Sequence, residues 1–344
     1  MDSEILAHVI RGETVESIHR GHVVVMDGEK IVLAHLGDPE TVTFFRSACK
    51  ALQALPFITS GAADRFRFTE AEIALACASH SGEPVHVEVA ASMLEKAGFT
   101  ESDLRCGTHL PFDDKEAKRM LRAGIKPTQL HNNCSGKHAG MLAFAKHINA
   151  DAKSYESIKN PIQQEILTTV GRFAELASDE ILLGVDGCAV PNFAMPLAAM
   201  ARCFANLINP PDSFGEDVKK ACARIISAMV TYPELIGGTE RLDTMVMQAA
   251  SVKVISKVGA EGVWLCGVLP NEGYPTGLAI ALKIEDGDDK RARPVVAIEI
   301  LRSLGVLTED QLAGFSPLPI KNRRGDTVGL VESIKPISPP HTDA

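Results

Sequence analysis

Apolar residues recur along this chain in two rhythms, and the change between them organises the sequence. Residues 22–26 and 31–34 are short aliphatic runs on either side of Asp27-Gly28, which predicts a β-hairpin. From residue 43 to about 250 the apolar positions return every three or four residues. That period predicts helices over 44–55, 70–78, 85–97, 114–123, 137–148, 162–176, 197–208, 217–230 and 241–249. Gly98, Pro161 and Asn209-Pro210-Pro211 punctuate them. Strand-like runs return at 252–256, 263–269 and 278–284, followed by a helix over 293–304 and a short apolar stretch at 327–331.

Strands at both ends with helices between them do not alternate as βαβ units would. The pattern predicts an α/β chain of the α+β type, with a mostly antiparallel sheet formed by both chain ends and a helical middle segment. One domain over residues 1–337 is expected, with a helical insertion at about 43–250 and a frayed tail at 338–344.

Composition narrows the functional classes. The 344 residues are 45% hydrophobic and 23% charged, the range of an ordinary folded protein. Lys and Arg total 35 against 44 acidic residues, and a net charge of -9 argues against nucleic acid or an anionic membrane as partner. Met1-Asp2-Ser3-Glu4 lacks the basic and apolar parts of a secretory signal, and no apolar run is long enough to span a bilayer. A cytoplasmic protein that binds small molecules or its own copies is expected. The eight cysteines are scattered, several within helical segments, so no disulfide framework is expected.

Ser47 and Lys50 stand three apart in a predicted helix, so they share a face on which a lysine amine can meet a serine hydroxyl. On spacing alone, a solvated stripe of Ser47, Lys50 and Gln53 is the favoured reading. Ser79 follows an apolar helix and precedes a glycine turn, where Ser81 is a candidate helix cap, and Lys257 sits between two strands, where lysines are commonly exposed. The segment His131-Asn132-Asn133-Cys134-Ser135-Gly136-Lys137-His138 is dense in polar groups yet leads into an apolar helix. Cys134 near a helix start has the setting of a lowered thiol pKa, fit for attack or for a soft metal. It shares a face with Lys137, and Asp186-Gly187-Cys188 offers a second cysteine. From spacing alone, structural cysteines precede a zinc site.

Taken together and in this order, these segments resemble the rhizobial-type (class 3) L-asparaginases, a family related in fold to serine β-lactamases and serine-dependent glutaminases. The resemblance runs from Ser17-Ile18-His19-Arg20 through Arg46-Ser47-Ala48-Cys49-Lys50, Cys77-Ala78-Ser79-His80-Ser81, Asn133-Cys134-Ser135-Gly136-Lys137-His138 and Asp186-Gly187-Cys188 to Lys257-Val258-Gly259-Ala260 and Ile284-Glu285-Asp286-Gly287. It implies a serine β-lactamase-like fold and hydrolysis of L-asparagine by two serine–lysine pairs, Ser47 with Lys50 and Ser79 with Lys257. It also implies a zinc held by Cys134, Lys137 and Cys188, a place for Asp186 beside the substrate, and a homodimer. Arg46, His138 and Arg241 are further substrate-binding candidates. Which serine forms the covalent bond stays open.

A glutaminase or another β-lactamase-like acyl hydrolase is the nearest alternative. The chain has Ser79-His80-Ser81 and Lys257-Val258-Gly259 where penicillin-recognising enzymes carry Ser-Asp-Asn and Lys-Thr-Gly. A non-catalytic zinc-binding or amino-acid-binding protein is the alternative from another class. Ammonia release separates it from the enzymes.

Overall fold

A computed structural model describes residues 2–335 and 337; the tail expected at 338–344 lies outside the described residues. The chain divides into two compact units, one comprising the residues up to Ala48, Met195–Asn209 and the residues from Met245, the other Cys49–Ala194 and Pro210–Thr244. The first unit opens with β1 (Glu4–Arg11), β2 (Thr14–Asp27), β3 (Val32–Leu36) and β4 (Val42–Phe44). After a 3-10 turn at Arg46–Cys49, the second unit carries α1 (Lys50–Thr59), α2 (Ala62–Arg65), α3 (Glu70–Ala76), α4 (Pro84–Ala97), α5 (Asp114–Ala123), α6 (Ser135–His147) and α7 (Pro161–Ala174). It continues through β5 (Leu182–Val185) into β6 (Pro191–Pro196). Helix α8 (Leu197–Ile208) belongs to the first unit, α9 (Glu216–Thr231) and α10 (Pro233–Ile236) to the second. Helix α11 (Leu242–Ala249) leads back to β7 (Val254–Val258), β8 (Val263–Val268), β9 (Leu278–Ile284), α12 (Ala292–Ser303), β10 (Leu318–Lys321) and β11 (Thr327–Ser333).

In the first unit the strands other than β4 form one sheet in the order β10-β11-β1-β2-β9-β8-β7, with β3 also paired to β2, and the ladders are antiparallel. Strand β1 pairs with β11, so both chain ends meet within the sheet, as the strand runs at the two ends predict. The 22–34 hairpin is also found, with Val23 opposite Leu36. Strands β7 and β8 are buried along their whole length, as continuous apolar runs are when both faces of a sheet are covered. Helices α8 and α12 pack on β8 and β9. Helix α8 falls within the segment expected to be a helical insertion, but it packs on β2, β8 and β9.

The second unit is helical, with the short antiparallel pair β5 and β6 at its edge. Helix α6 is buried at every position from Ser135 to Ala145, the mark of a helix surrounded by others; α1, α2, α3, α4 and α7 pack around it. Among the described residues no helix is long and apolar enough to cross a membrane.

Candidate active site

Close approach of α3 to α6 in the second unit creates the polar cluster. Thr69 caps α3 by accepting the Glu72 N–H at 3.3 Å, while the Glu72 carboxylate accepts the Thr69 N–H at 2.7 Å. Beyond the end of α3, the Ser79 N–H donates to the Ile236 carbonyl at 2.9 Å. Helix α6 starts where Asn132 Oδ1 accepts the Cys134 N–H and Asn132 Nδ2 donates to the Cys106 carbonyl, both at 2.9 Å. At Gly136 a Cβ would stand 2.4 Å from the Leu75 carbonyl oxygen, so a residue without a side chain is what lets α6 lie this near to α3.

Lys50, the first residue of α1, reaches into this space and is fully buried. Its Nζ lies within hydrogen-bond distance of the Ala78 carbonyl at 2.5 Å, of Ser79 Oγ at 2.9 Å and of the Asn133 carbonyl at 3.2 Å. Each acceptor comes from a segment of the polar cluster, so the amine ties the end of α3 to the start of α6. The solvated-stripe reading fails, because Gln53 is buried as well. Two neighbours with no role in the sequence reading complete the cluster. His80 Nδ1 accepts the Gly82 N–H at 3.2 Å, which leaves the proton on Nε2, 2.9 Å from Ser135 Oγ; that hydroxyl donates onward to the Leu130 carbonyl at 3.0 Å. Burial holds the His80 pKa well below the usual histidine value, with His86 and Lys50 adding to the effect. Its ring stacks on His86 with centroids 4.9 Å apart.

The following loop is fastened by a carboxylate. Glu83 accepts from Ser81 Oγ at 2.6 Å, from the Thr239 N–H at 2.8 Å and from Thr239 Oγ1 at 2.9 Å. Ser81 therefore does not cap α4. Glu83 takes the N-cap position because Pro84 starts the helix, and the Glu83 N–H is received by His86 Nδ1 at 3.1 Å. These bonds anchor the loop leading to Arg241, whose guanidinium lies 5.7 Å from the Phe112 ring centre.

Cys134, Lys137 and Cys188 come together. Lys137 is buried with Nζ 3.1 Å from Cys188 Sγ. Burial opposes its charge, but Cys188, Cys134 and Asp186 outweigh burial and raise its pKa. The lowered thiol pKa expected at Cys134 belongs to Cys188 instead. A hydrogen bond from Cys134 and the Lys137 charge stabilise the Cys188 thiolate against its burial, whereas Cys134, as the donor of that bond and buried, has its pKa raised. Two sulfurs and one amine form a donor set of the softness zinc takes, once the Cys134 and Lys137 protons are displaced. Among the described residues there is no group of three or more His, Cys, Asp and Glu side chains able to hold a metal, so the lysine is integral to any such site. Asp186 lies in the β5–β6 turn, where its Oδ1 accepts the Gly187 N–H at 2.8 Å. His138 is buried with Nδ1 2.6 Å from the Tyr155 hydroxyl, and among the described residues its Nε2 has no hydrogen-bond partner.

The remaining candidates belong to the first unit or to its last turn. Ser47, half-buried, stands in the 3-10 turn Arg46–Cys49, where the Ala48 N–H donates to the Phe45 carbonyl at 3.3 Å. Arg46 adopts φ 53°, and its guanidinium lies 3.9 Å from the Glu261 carboxylate. Lys257 is fully buried on β7, not exposed, with Nζ 3.1 Å from the Val258 carbonyl.

The sequence matches the family model described as L-asparaginase II over residues 7–333. Comparison with curated proteins gives no match. Among solved structures the chain is similar to a Bacillus subtilis glutaminase in covalent complex with 5-oxo-L-norleucine, at 12% identity over 84% of this chain and 89% of that one, with a TM-score of 0.39. It is also similar to a β-lactamase from Desulfarculus baarsii, at 12% identity over 81% and 88%, with a TM-score of 0.36.

Proposed function

Because the chain belongs to the L-asparaginase II family and is a hydrolase acting on amides, we propose that it cleaves the side-chain amide of L-asparagine to aspartate and ammonia with a lysine-activated serine. The observation that carries this reading is the buried Lys50 amine, 2.9 Å from the Ser79 hydroxyl and three residues along the chain from Ser47. A neutral lysine amine can take a hydroxyl proton as the oxygen attacks an amide carbon. In this reading Ser47, which is less buried than Ser79, is the nucleophile and Lys50 its base. The Ser47 Oγ–carbon bond forms, the carbon–nitrogen bond breaks, and the proton leaves with ammonia. Water then attacks the acyl-enzyme and releases aspartate. Ser79 and Lys257 relay protons to and from that water.

Asp186 grips the α-amino end of the substrate, with Arg46, His138 and Arg241 as further contacts. Cys134, Lys137 and Cys188 would hold a zinc, which would supply either a positioning contact for the amino-acid end or Lewis acidity. The protein works as a cytoplasmic homodimer in this reading, which sedimentation and cell fractionation check. The deciding experiment is ammonia release from asparagine and glutamine by the purified protein and by Ser47→Ala. Release from asparagine that disappears in the variant supports the reading; an unchanged rate in Ser47→Ala overturns it.

A further inference from the structure

An ion pair between a buried arginine and a partly exposed aspartate in the first unit grips the turn that follows Lys257. Arg293, at the start of α12, is 6% exposed and donates through Nη1 to the Gly259 carbonyl at 2.6 Å. The same Nη1 meets the Asp289 carboxylate, and Nη2 donates to the Asp289 carbonyl at 3.1 Å. Asp289 in turn accepts the Gly262 N–H through Oδ1 at 2.9 Å. Both ends of the 259–262 turn between β7 and β8 are thus tied to one guanidinium–carboxylate pair. Such charge-assisted bonds are short and directional, and a guanidinium holds its acceptors in a fixed planar fork that a lysine does not offer.

The clamped turn touches two segments assigned to chemistry. Where β7 passes into the turn, the consecutive carbonyls of Val258 and Gly259 receive Lys257 Nζ and Arg293 Nη1. On its other side, a Cβ at Gly259 would stand 3.0 Å from the Phe45 carbonyl oxygen, the same oxygen that closes the turn carrying Ser47. Glu261 in the turn faces Arg46, the residue before Ser47, and the Glu261 carbonyl accepts from Lys283 Nζ at 2.5 Å. Arg46 itself is held at a positive φ, which a non-glycine residue keeps only when its surroundings impose it.

We infer that Arg293, with Asp289, is a positioning residue for amide hydrolysis: by locking the 259–262 turn it fixes Lys257 on β7 and supports the backbone that presents Ser47. The inference rests on the proposed roles of those two residues. A guanidinium-held turn sets where the nucleophile lies, and a misplacement of about 1 Å can cost on the order of 10²-fold in rate.

The test compares Arg293→Ala, Arg293→Lys and Asp289→Asn with Arg302→Ala, a control on the same helix whose guanidinium bonds Glu299, Ser316 and Gln311. Each is assayed for asparagine turnover, for the rate at which an alkyl fluorophosphonate labels Ser47, and for its thermal midpoint. Arg293→Ala should lose about 10²-fold in kcat and in labelling rate with KM near that of the unmutated protein, and millimolar guanidinium ion should restore part of the loss. Arg302→Ala should lose thermal stability without that loss of kcat and without rescue. Wild-type kcat and labelling in Arg293→Ala overturn the inference, as does an equal loss of kcat in Arg302→Ala at a matched midpoint. Absence of both ammonia release and Ser47 labelling in the unmutated protein overturns the underlying functional reading instead.

Discussion

The Lys50 amine and the Ser79 hydroxyl are 2.9 Å apart, although 29 residues separate them in the chain. The lysine assigned to the serine three positions before it therefore already holds a second hydroxyl. Lys50→Met removes the base and strips the Ala78 and Asn133 carbonyls of a donor. Turnover should fall by about 10²–10⁴-fold, and each carbonyl left unpaired should cost about 1–3 kcal/mol. Ser79→Ala removes only the hydroxyl, so its loss should appear in turnover with little change in the urea midpoint. Normal turnover in Lys50→Met would take this amine out of the mechanism.

His86 predicts an acid limit to the stability of the second unit. Its Nδ1 accepts the Glu83 N–H, and its Nε2 donates to the Glu234 carbonyl at 2.9 Å, which describes a neutral ring. Burial lowers its pKa from 6.5, and the Glu234 hydrogen bond together with the Glu83, Asp113 and Glu234 charges offsets burial only in part. The His80 ring stacked on it is shifted the same way. Because the unfolded chain binds these protons first, their contribution is complete above about pH 6.5 and is lost as the pH falls below it, by up to about 1.4 kcal/mol per histidine per pH unit. Urea midpoints between pH 7.5 and 5 should show this fall, and His86→Asn should make it shallower. A flat wild-type profile would contradict the neutral-ring assignment.

The sheet was legible because β8 and β9 are continuous apolar runs and the 22–34 hairpin has its own turn signal. Strand β1 was not, since its half-buried positions give no clean alternation. The start of α6 at Ser135 was legible only to within two residues, the usual uncertainty of a helix terminus. The burial of Lys50 was hidden for a different reason. Its partners, Ala78, Ser79 and Asn133, arrive from distant segments through the glycine-permitted approach of α6 to Leu75. Local spacing can pair Ser47 with Lys50, but it cannot report a third partner supplied by tertiary structure. His80 stood within a quoted motif, yet its bond to Ser135 spans 55 residues and had no local signature.

Zinc binding should be measurable apart from turnover. Protein purified without added metal should contain about one zinc per chain if Cys134, Lys137 and Cys188 form a closed three-ligand set with solvent in the fourth position. Cys188→Ser removes the thiolate, so zinc content should fall and the thermal midpoint should no longer drop on treatment with a chelator. If zinc supplied in excess fails to bind the unmutated protein, the two cysteines and the lysine are a structural cluster.

Asp186 should govern substrate length. Its carboxylate is fastened by the Gly187 N–H at 2.8 Å in a turn where Ala189 keeps φ 72°, and its charge is felt by Lys137. A carboxylate held in this way can fix an α-ammonium group while leaving the side-chain amide free to reach the serine. Asparagine then brings its amide carbon to the nucleophile. Glutamine, gripped by the same end, carries its amide carbon past it by one methylene, and a displacement of about 1 Å costs on the order of 10²-fold through lost near-attack geometry. The penalty should fall on kcat more than on KM, because both substrates keep their α-groups in place. Asp186→Ala should raise KM for asparagine and narrow the ratio of the two kcat values, since neither substrate is then held at a set distance. Side-by-side kinetics on both amides decide the matter: equal kcat values in the unmutated enzyme would show that the site does not measure length, whatever Asp186 contributes to binding.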